Sequence, residues 1–163
     1  VSNLKDIPML LLLFCVGKDP YAIESSHIVE VIPSVPLRKL HYVPKYVAGL
    51  LNYRGTIVPV VDLCELIQGT PSRFQLSSRI IMVKSAEAST VSYLGLLAEQ
   101  VIQTLDKPKA KFVASNAVHM NAAPYLGGMI LDDRGMIQQI HLDRLFADVQ
   151  QIYLAASGES QLK

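Results

Sequence analysis

The chain has 163 residues, enough for one domain with a sizeable core or for two small cores sharing a wall. Lys plus Arg total 15 against 14 for Asp plus Glu, and this near-neutral balance argues against nucleic-acid binding through a dense basic field. Apolar residues make up 50% and charged ones 18%, below the ~25% of an ordinary soluble domain, so there is surplus apolar surface for a protein contact to cover.

Met9 to Val16 is an unbroken apolar run and reads as a buried strand. It is far shorter than the roughly 20 residues of a membrane helix. Asp6 and Pro8 before it, and Gly17-Lys18-Asp19-Pro20 after it, do not fit a signal peptide, which points to a cytoplasmic protein without membrane insertion. The chain begins at Val1 rather than Met, so an earlier-removed segment stays open. Strands are next expected at Tyr21–Glu24 and Ile28–Ile32, before Pro33 and Pro36 break the chain. Val47–Asn52 and Thr56–Val61 flank Tyr53-Arg54-Gly55, a tight hairpin in which Gly55 supplies a positive φ. Pro59 lacks a donor, so its strand should be an edge or irregular there.

Asp62 is placed to cap a short helix, with Glu65 three residues on as in a capping box and Gly69 to end it. Leu63, Leu66 and Ile67 would form its buried face. The polar stretch Thr70–Ser78 is the best boundary between two lobes. Further strands are expected at Arg79–Lys84, Ser92–Ala98, Val101–Asp106, Gly128–Asp132 and Met136–Ile140, with loop over Lys107–Asn121. From Leu142 the period becomes helical, through Leu145, Phe146, Val149, Ile152 and Tyr153, with Gly158 beyond and a frayed end. A weak repeat relates the halves: Tyr21-Ala22-Ile23 to Tyr93-Leu94-Gly95, and Pro44 with Arg54-Gly55 to Pro124 with Arg134-Gly135. Five strands per half suggest small closed barrels: a mainly β chain with lobes at about 8–76 and 77–141 and a helix over 142–156.

The pattern contains little chemistry. There is no Gly-x-Ser-x-Gly elbow, no His-Glu-x-x-His and no phosphate loop. His27, His41, His119 and His141 lack metal-ligand spacing, and Asp132-Asp133 reads as turn rather than as metal ligands. Lys107, Lys109 and Lys111 read as a solvated basic cluster, the alternative being an acidic partner. Cys15 and Cys64 sit in apolar runs and read as buried thiols rather than a disulfide. No catalytic residue, metal or cofactor is expected. Arg54 stands apart: on physics alone it is either an exposed turn cation or a fork of donors facing carbonyls or a partner carboxylate.

The block Gly49, Asn52-Tyr53-Arg54-Gly55 and Val58-Pro59-Val60-Val61-Asp62-Leu63 resembles the CheW family of chemotaxis adaptors. The family pattern has a Gly, then Asn-Leu-Arg-Gly, then Val-Pro-Val-x-Asp-Leu, so Tyr53 replaces Leu within the turn. Phe14, Tyr21-Ala22-Ile23-Glu24, Ile28-Val29-Glu30-Val31-Ile32, Pro44, Arg79–Val83 and Leu96–Val101 extend the match, with Ala98-Glu99 where Val-Asp is usual. The resemblance covers Met9 to Phe146. It implies two five-stranded SH3-like barrels side by side, no catalysis, and coupling of chemoreceptor cytoplasmic tips to a CheA-type histidine kinase. It further implies a receptor-facing apolar groove on and between the lobes that carries Ile28, Glu30 and Val31, with Asn52, Tyr53 and Arg54 near it. Kinase contact would use apolar barrel ends. Gly49, Gly55, Pro59 and Asp62 match the motif and would serve the fold. Type IV pilus or phototaxis signalling is a variant of the same role. The reading from a different class is a small-barrel nucleic-acid-binding module, disfavoured by the low charge; an enzyme with a site of scattered residues is a third.

Overall fold

The computed structural model describes residues 8–85, 92–108, 125–133 and 135–161. Strands dominate: β1 (Pro8–Val16), β2 (Asp19–Glu24), β3 (Ile28–Pro33), β4 (Val47–Tyr53), β5 (Thr56–Asp62), β6 (Arg79–Lys84), β7 (Tyr93–Ala98), β8 (Gln100–Pro108), β9 (Leu126–Asp132) and β10 (Gly135–Ile140). Among the described residues two α-helices join them, α1 (Leu63–Gln68) and α2 (Leu142–Gln161). The strands form two five-stranded sheets, in the orders β8-β1-β2-β10-β9 and β3-β6-β7-β5-β4. Each expected strand is present, most extended by one or two residues.

The sheets do not follow the two halves of the chain. β1 pairs antiparallel with β8, and β2 pairs parallel with β10, so the first sheet takes strands from both ends. Lobes divided as 8–76 and 77–141 would cut through both sheets. The repeat misled because short apolar strands look alike locally, and pairing partners are set by long-range packing. Thr70–Ser78 is likewise no boundary, since it joins β5 and α1 to β6 within the second sheet. It folds back onto the sheet instead: Ser72 binds Asp62, and Arg73 binds Glu99. The chain crosses between sheets at the 3-10 turn Ser25–His27 and at Glu99, between β7 and β8.

Three apolar clusters explain the unbroken apolar runs. Met9, Leu11 and Leu13 of β1 pack with Ala22, Ile130 and Ile137 inside the first sheet. Ile80 and Met82 of β6 pack with Leu51, Val58, Val60 and Leu97 inside the second. The alternate residues of the same strands, Leu12, Phe14 and Val16 on one side and Ile81, Val83, Leu94 and Leu96 on the other, meet in a cluster shared between the sheets. Strands buried on both faces have no polar side to alternate with. Each such Leu or Ile contributes ~1.5–3 kcal/mol when fully buried. Leu142, Leu145, Phe146 and Val149 of α2 seal the shared wall. The helix starts where the period changes and continues through Gly158 to Gln161, beyond the expected 156; one glycine costs a helix only ~1 kcal/mol. The side chain of Tyr153, Lys109–Asn121, and the basic cluster's side chains lie outside the described residues.

Local signals set the remaining geometry. Asp62 caps α1, accepting from the Cys64 and Glu65 backbone N–H groups, and Gly69 closes it by donating to the Glu65 carbonyl. The reciprocal half of the capping box is not required, because the Asp62 N–H already donates to the Tyr46 carbonyl. Pro59 pairs with Leu50 of β4, while β7 joins β5 only from Val60 onward. The proline thus stands on the stretch of an otherwise internal strand that has one neighbour. Cys15 and Cys64 are free thiols, half-buried and buried, and burial pushes both up.

Candidate functional site

The segment singled out by sequence lies where the second sheet's two edge strands, β3 and β4, come together. At the β4–β5 hairpin Tyr53 faces Thr56, and both central residues are left-handed, Arg54 at φ 50° and Gly55 at φ 85°. Two positive φ values define a type I′ turn, whose twist matches that of its strands. Sequence reading assigned the positive φ to Gly55 alone; Arg54 shares it. Asn52 serves this turn, its Oδ1 accepting the Gly55 N–H at 3.0 Å. Gly49, at φ 153°, lies under the returning chain: a Cβ there would come within 2.6 Å of the Arg38 carbonyl oxygen. That close approach lets Arg38 and Leu50 exchange backbone hydrogen bonds of 3.0 and 2.8 Å, which tie the chain after β3 to the β4 edge.

Glu30 reaches the turn from β3. Its Oε2 accepts hydrogen bonds from the Tyr53 hydroxyl and from Arg54 Nη2, the latter at 2.9 Å. The Arg54 guanidinium carbon lies 5.1 Å from the centre of the Tyr53 ring, and the Tyr93 ring tilts against Tyr53 at 6.3 Å. The Tyr53 phenol is held above the ordinary tyrosine range, chiefly by its hydrogen bond to the Glu30 carboxylate and then by burial, with Arg54 opposing. Arg54 is therefore no bare turn cation: Nη2 pairs with Glu30 of its own chain, while the side chain stays 72% exposed.

Glu30 and Val31 do not share a face. A bulge between Ile28 and Glu30 sets the register so that Glu30 opposes Met82 and Val31 opposes Ile81. Glu30 thus lies on the side of the second sheet's own core, and Val31 on the side of the wall shared between sheets. Val31 is 38% exposed, and Val29 within the bulge is 44% exposed. Ile28 opposes Val83 and is half-buried against the shared cluster, so it supports this face more than it presents it. Sequence reading missed Val29, which is exposed in alternation with Val31 along the β3 edge, and Tyr93, which supports Tyr53 from another strand. It also missed other exposed apolar side chains: Phe74 and Leu76 beside Pro33, Ile57 near the hairpin, and the cross-strand pair Leu131 and Met136. Phe74 and Leu76 could have been suspected as isolated apolar residues in a polar stretch. Among the described residues, no group of His, Cys, Asp and Glu could hold a metal, and no helix is long and apolar enough to cross a membrane.

The site thus combines an apolar strand edge carrying Val29 and Val31 with an ion pair between Glu30 and Arg54. A model of the CheW-like domain matches residues 10–150. The chain belongs to the CheW-like family. The probable chemotaxis protein CheW of Rhizobium etli is 22% identical over 151 residues, covering 92% of this chain and 95% of that protein. The chemotaxis protein CheW of Helicobacter pylori is 32% identical over 50 residues, 31% of this chain and 30% of that one. In fold, the chain is similar to the scaffolding protein TtCheW of Thermoanaerobacter tengcongensis, with a TM-score of 0.72 and 23% identity over 82% of this chain and 84% of that one. The mainly β class expected from sequence, with paired five-stranded SH3-like units, is thus the class observed. Within this CheW-like frame, Gly49, Gly55, Pro59 and Asp62 have structural partners or strained positions of their own, as set out above.

Proposed function

We propose that this CheW-like protein is a non-catalytic adaptor that joins a chemoreceptor's cytoplasmic tip to a CheA-type histidine kinase, in chemotaxis or a related pilus or phototaxis pathway. The family match over residues 10–150 carries the reading. The geometry supports it: Val29 and Val31 form an exposed apolar strip on a strand edge, continuous with the face that binds the two sheets together. A receptor helix laid along this strip would bury apolar side chains against a rigid sheet, and energy would concentrate in a few such anchors. Asn52 and Tyr53 shape the flank of the strip, and Arg54, exposed beside Glu30, stands within reach of the partner. The nucleic-acid reading has no observation in its favour.

The test is Val31→Asp, with binding to a purified receptor cytoplasmic fragment measured by calorimetry. Val31 is partly exposed, so this variant keeps its fold and loses at least about tenfold in affinity, as for one buried anchor of ~1.4 kcal/mol or more. Ile81→Asp on the opposing strand places an unpaired charge in the shared wall and unfolds the protein. A folded Val31→Asp protein that binds as well as the wild type contradicts the assigned face.

A further inference from the structure

The order β3-β6-β7-β5-β4 leaves β3 and β4 as the two edges of one sheet. Edge strands joined by no continuous ladder can move relative to each other unless side chains tie them. One tie is the Arg38–Leu50 bridge. A further tie runs through Tyr53. Its hydroxyl donates to Glu30 Oε2 on β3, its ring lies against the Arg54 guanidinium that donates to the same oxygen, and Tyr93 of β7 supports the ring from the side. An exposed Glu–Arg pair alone is weak and mobile. A second donor on the same oxygen, from a ring held against Tyr93 of β7, narrows the positions open to the carboxylate. The related motif has Leu here, which offers neither a hydroxyl nor an aromatic face.

We propose that Tyr53 is a positioning residue that latches β3 to the β4–β5 hairpin through Glu30, holding Val29 and Val31 in one place before a partner arrives. Glu30 lies between these two valines in sequence, so fixing its side chain fixes the strand that displays them. A strip ordered in advance loses less conformational freedom on docking. The role in docking rests on the adaptor reading above; the latch itself does not.

The experiment uses the full chain with Tyr53→Phe, which removes only the hydroxyl, and Tyr53→Leu, which removes the ring as well. Backbone hydrogen exchange is followed at Val29–Ile32. Tyr53→Phe speeds exchange there about fivefold, the factor expected for one net hydrogen bond, with β1 unchanged; Tyr53→Leu does at least as much. A reading that a purely packing role would not move is the Tyr53 phenol titration, followed by NMR of labelled tyrosine. It lies above the ordinary range in the wild type and falls back toward it in Glu30→Gln. Affinity for a receptor cytoplasmic fragment falls about threefold to fivefold in Tyr53→Phe, the conservative end of losing one hydrogen bond. Unchanged β3 exchange in Tyr53→Phe, or a phenol titration indifferent to Glu30→Gln, overturns the latch. Faster exchange with unchanged receptor affinity overturns the positioning role. A wild type that binds no receptor fragment, with β3 still loosened in the variants, sustains the latch and overturns the adaptor reading.

Discussion

Replacing Asp62 by Ala removes the acceptor on which the end of β5, the start of α1 and the following loop converge. The side chain is 6% exposed. Oδ1 accepts from the Cys64 N–H at 3.0 Å, the Glu65 N–H at 3.3 Å and the Ser72 hydroxyl at 2.5 Å, and Oδ2 accepts from the Ser72 N–H at 2.8 Å. Losing the helix cap alone costs ~1 kcal/mol. The two Ser72 bonds go to a charged acceptor but their donor is half-buried, so water replaces part of each, leaving ~1 kcal/mol apiece. The loss is therefore about 3 kcal/mol, a large share of the 5–15 kcal/mol that holds a domain of this size. A melting temperature lower by about 6–12 °C follows. Urea unfolding followed by circular dichroism checks it: the midpoint should fall with the slope unchanged. Asp62→Asn keeps one acceptor oxygen but sets an amide against the Ser72 or helix donors, so its midpoint should lie between the two. A loss below ~1 kcal/mol in Asp62→Ala would refute the reasoning, because it would mean solvent satisfies these donors as well as the carboxylate does.

Gly49→Ala drives a Cβ to 2.6 Å from the Arg38 carbonyl at a left-handed φ, and should destabilise by about 1–3 kcal/mol in the same urea assay. Gly55→Ala meets nothing within 4 Å and should cost only the turn conformation, about 1 kcal/mol. Glu99 accepts the Arg73 backbone N–H at 2.8 Å, and that bond, ahead of the opposing effect of burial and aided by the guanidinium, holds its carboxyl below the usual range. Because the folded value is the lower one, Glu99 stabilises the fold at neutral pH. That contribution fades as pH falls from the ordinary glutamate value of ~4.3 through the lowered one. Urea midpoints of the wild type should therefore drop between neutral pH and the acid range, and Glu99→Gln should flatten that drop; equal slopes in both proteins would contradict it.

What sequence disclosed was local. The α1 cap at Asp62, the Arg54-Gly55 hairpin and the change of period at Leu142 each rest on residues within a few positions of one another, and the structure has all three. What it hid was long-range. Nothing in Met9–Val16 says that its neighbours are β2 and β8, because a strand buried on both faces carries no alternation to reveal which face meets what. The site divides in the same way. Arg54 was conspicuous at its turn, but its partner Glu30 lies 24 residues away on another strand. The alternation of β3 would have placed Glu30 and Val31 on opposite faces, had the motif not grouped them by position. The bulge that shifts the β3 register between Ile28 and Glu30 leaves no mark in the sequence beyond a run of β-branched residues. Tyr53, the one departure within the turn motif, proves to be the residue on which Glu30, Arg54 and Tyr93 converge.

The central claim is that this chain joins two other signalling proteins and transforms neither. Co-sedimentation of a CheA-type kinase with receptor-bearing membranes, with and without the purified protein, tests it most directly. Kinase should enter the pellet in proportion to added wild-type chain and stay in the supernatant with Val31→Asp. Kinase that pellets equally with and without the chain would contradict the account.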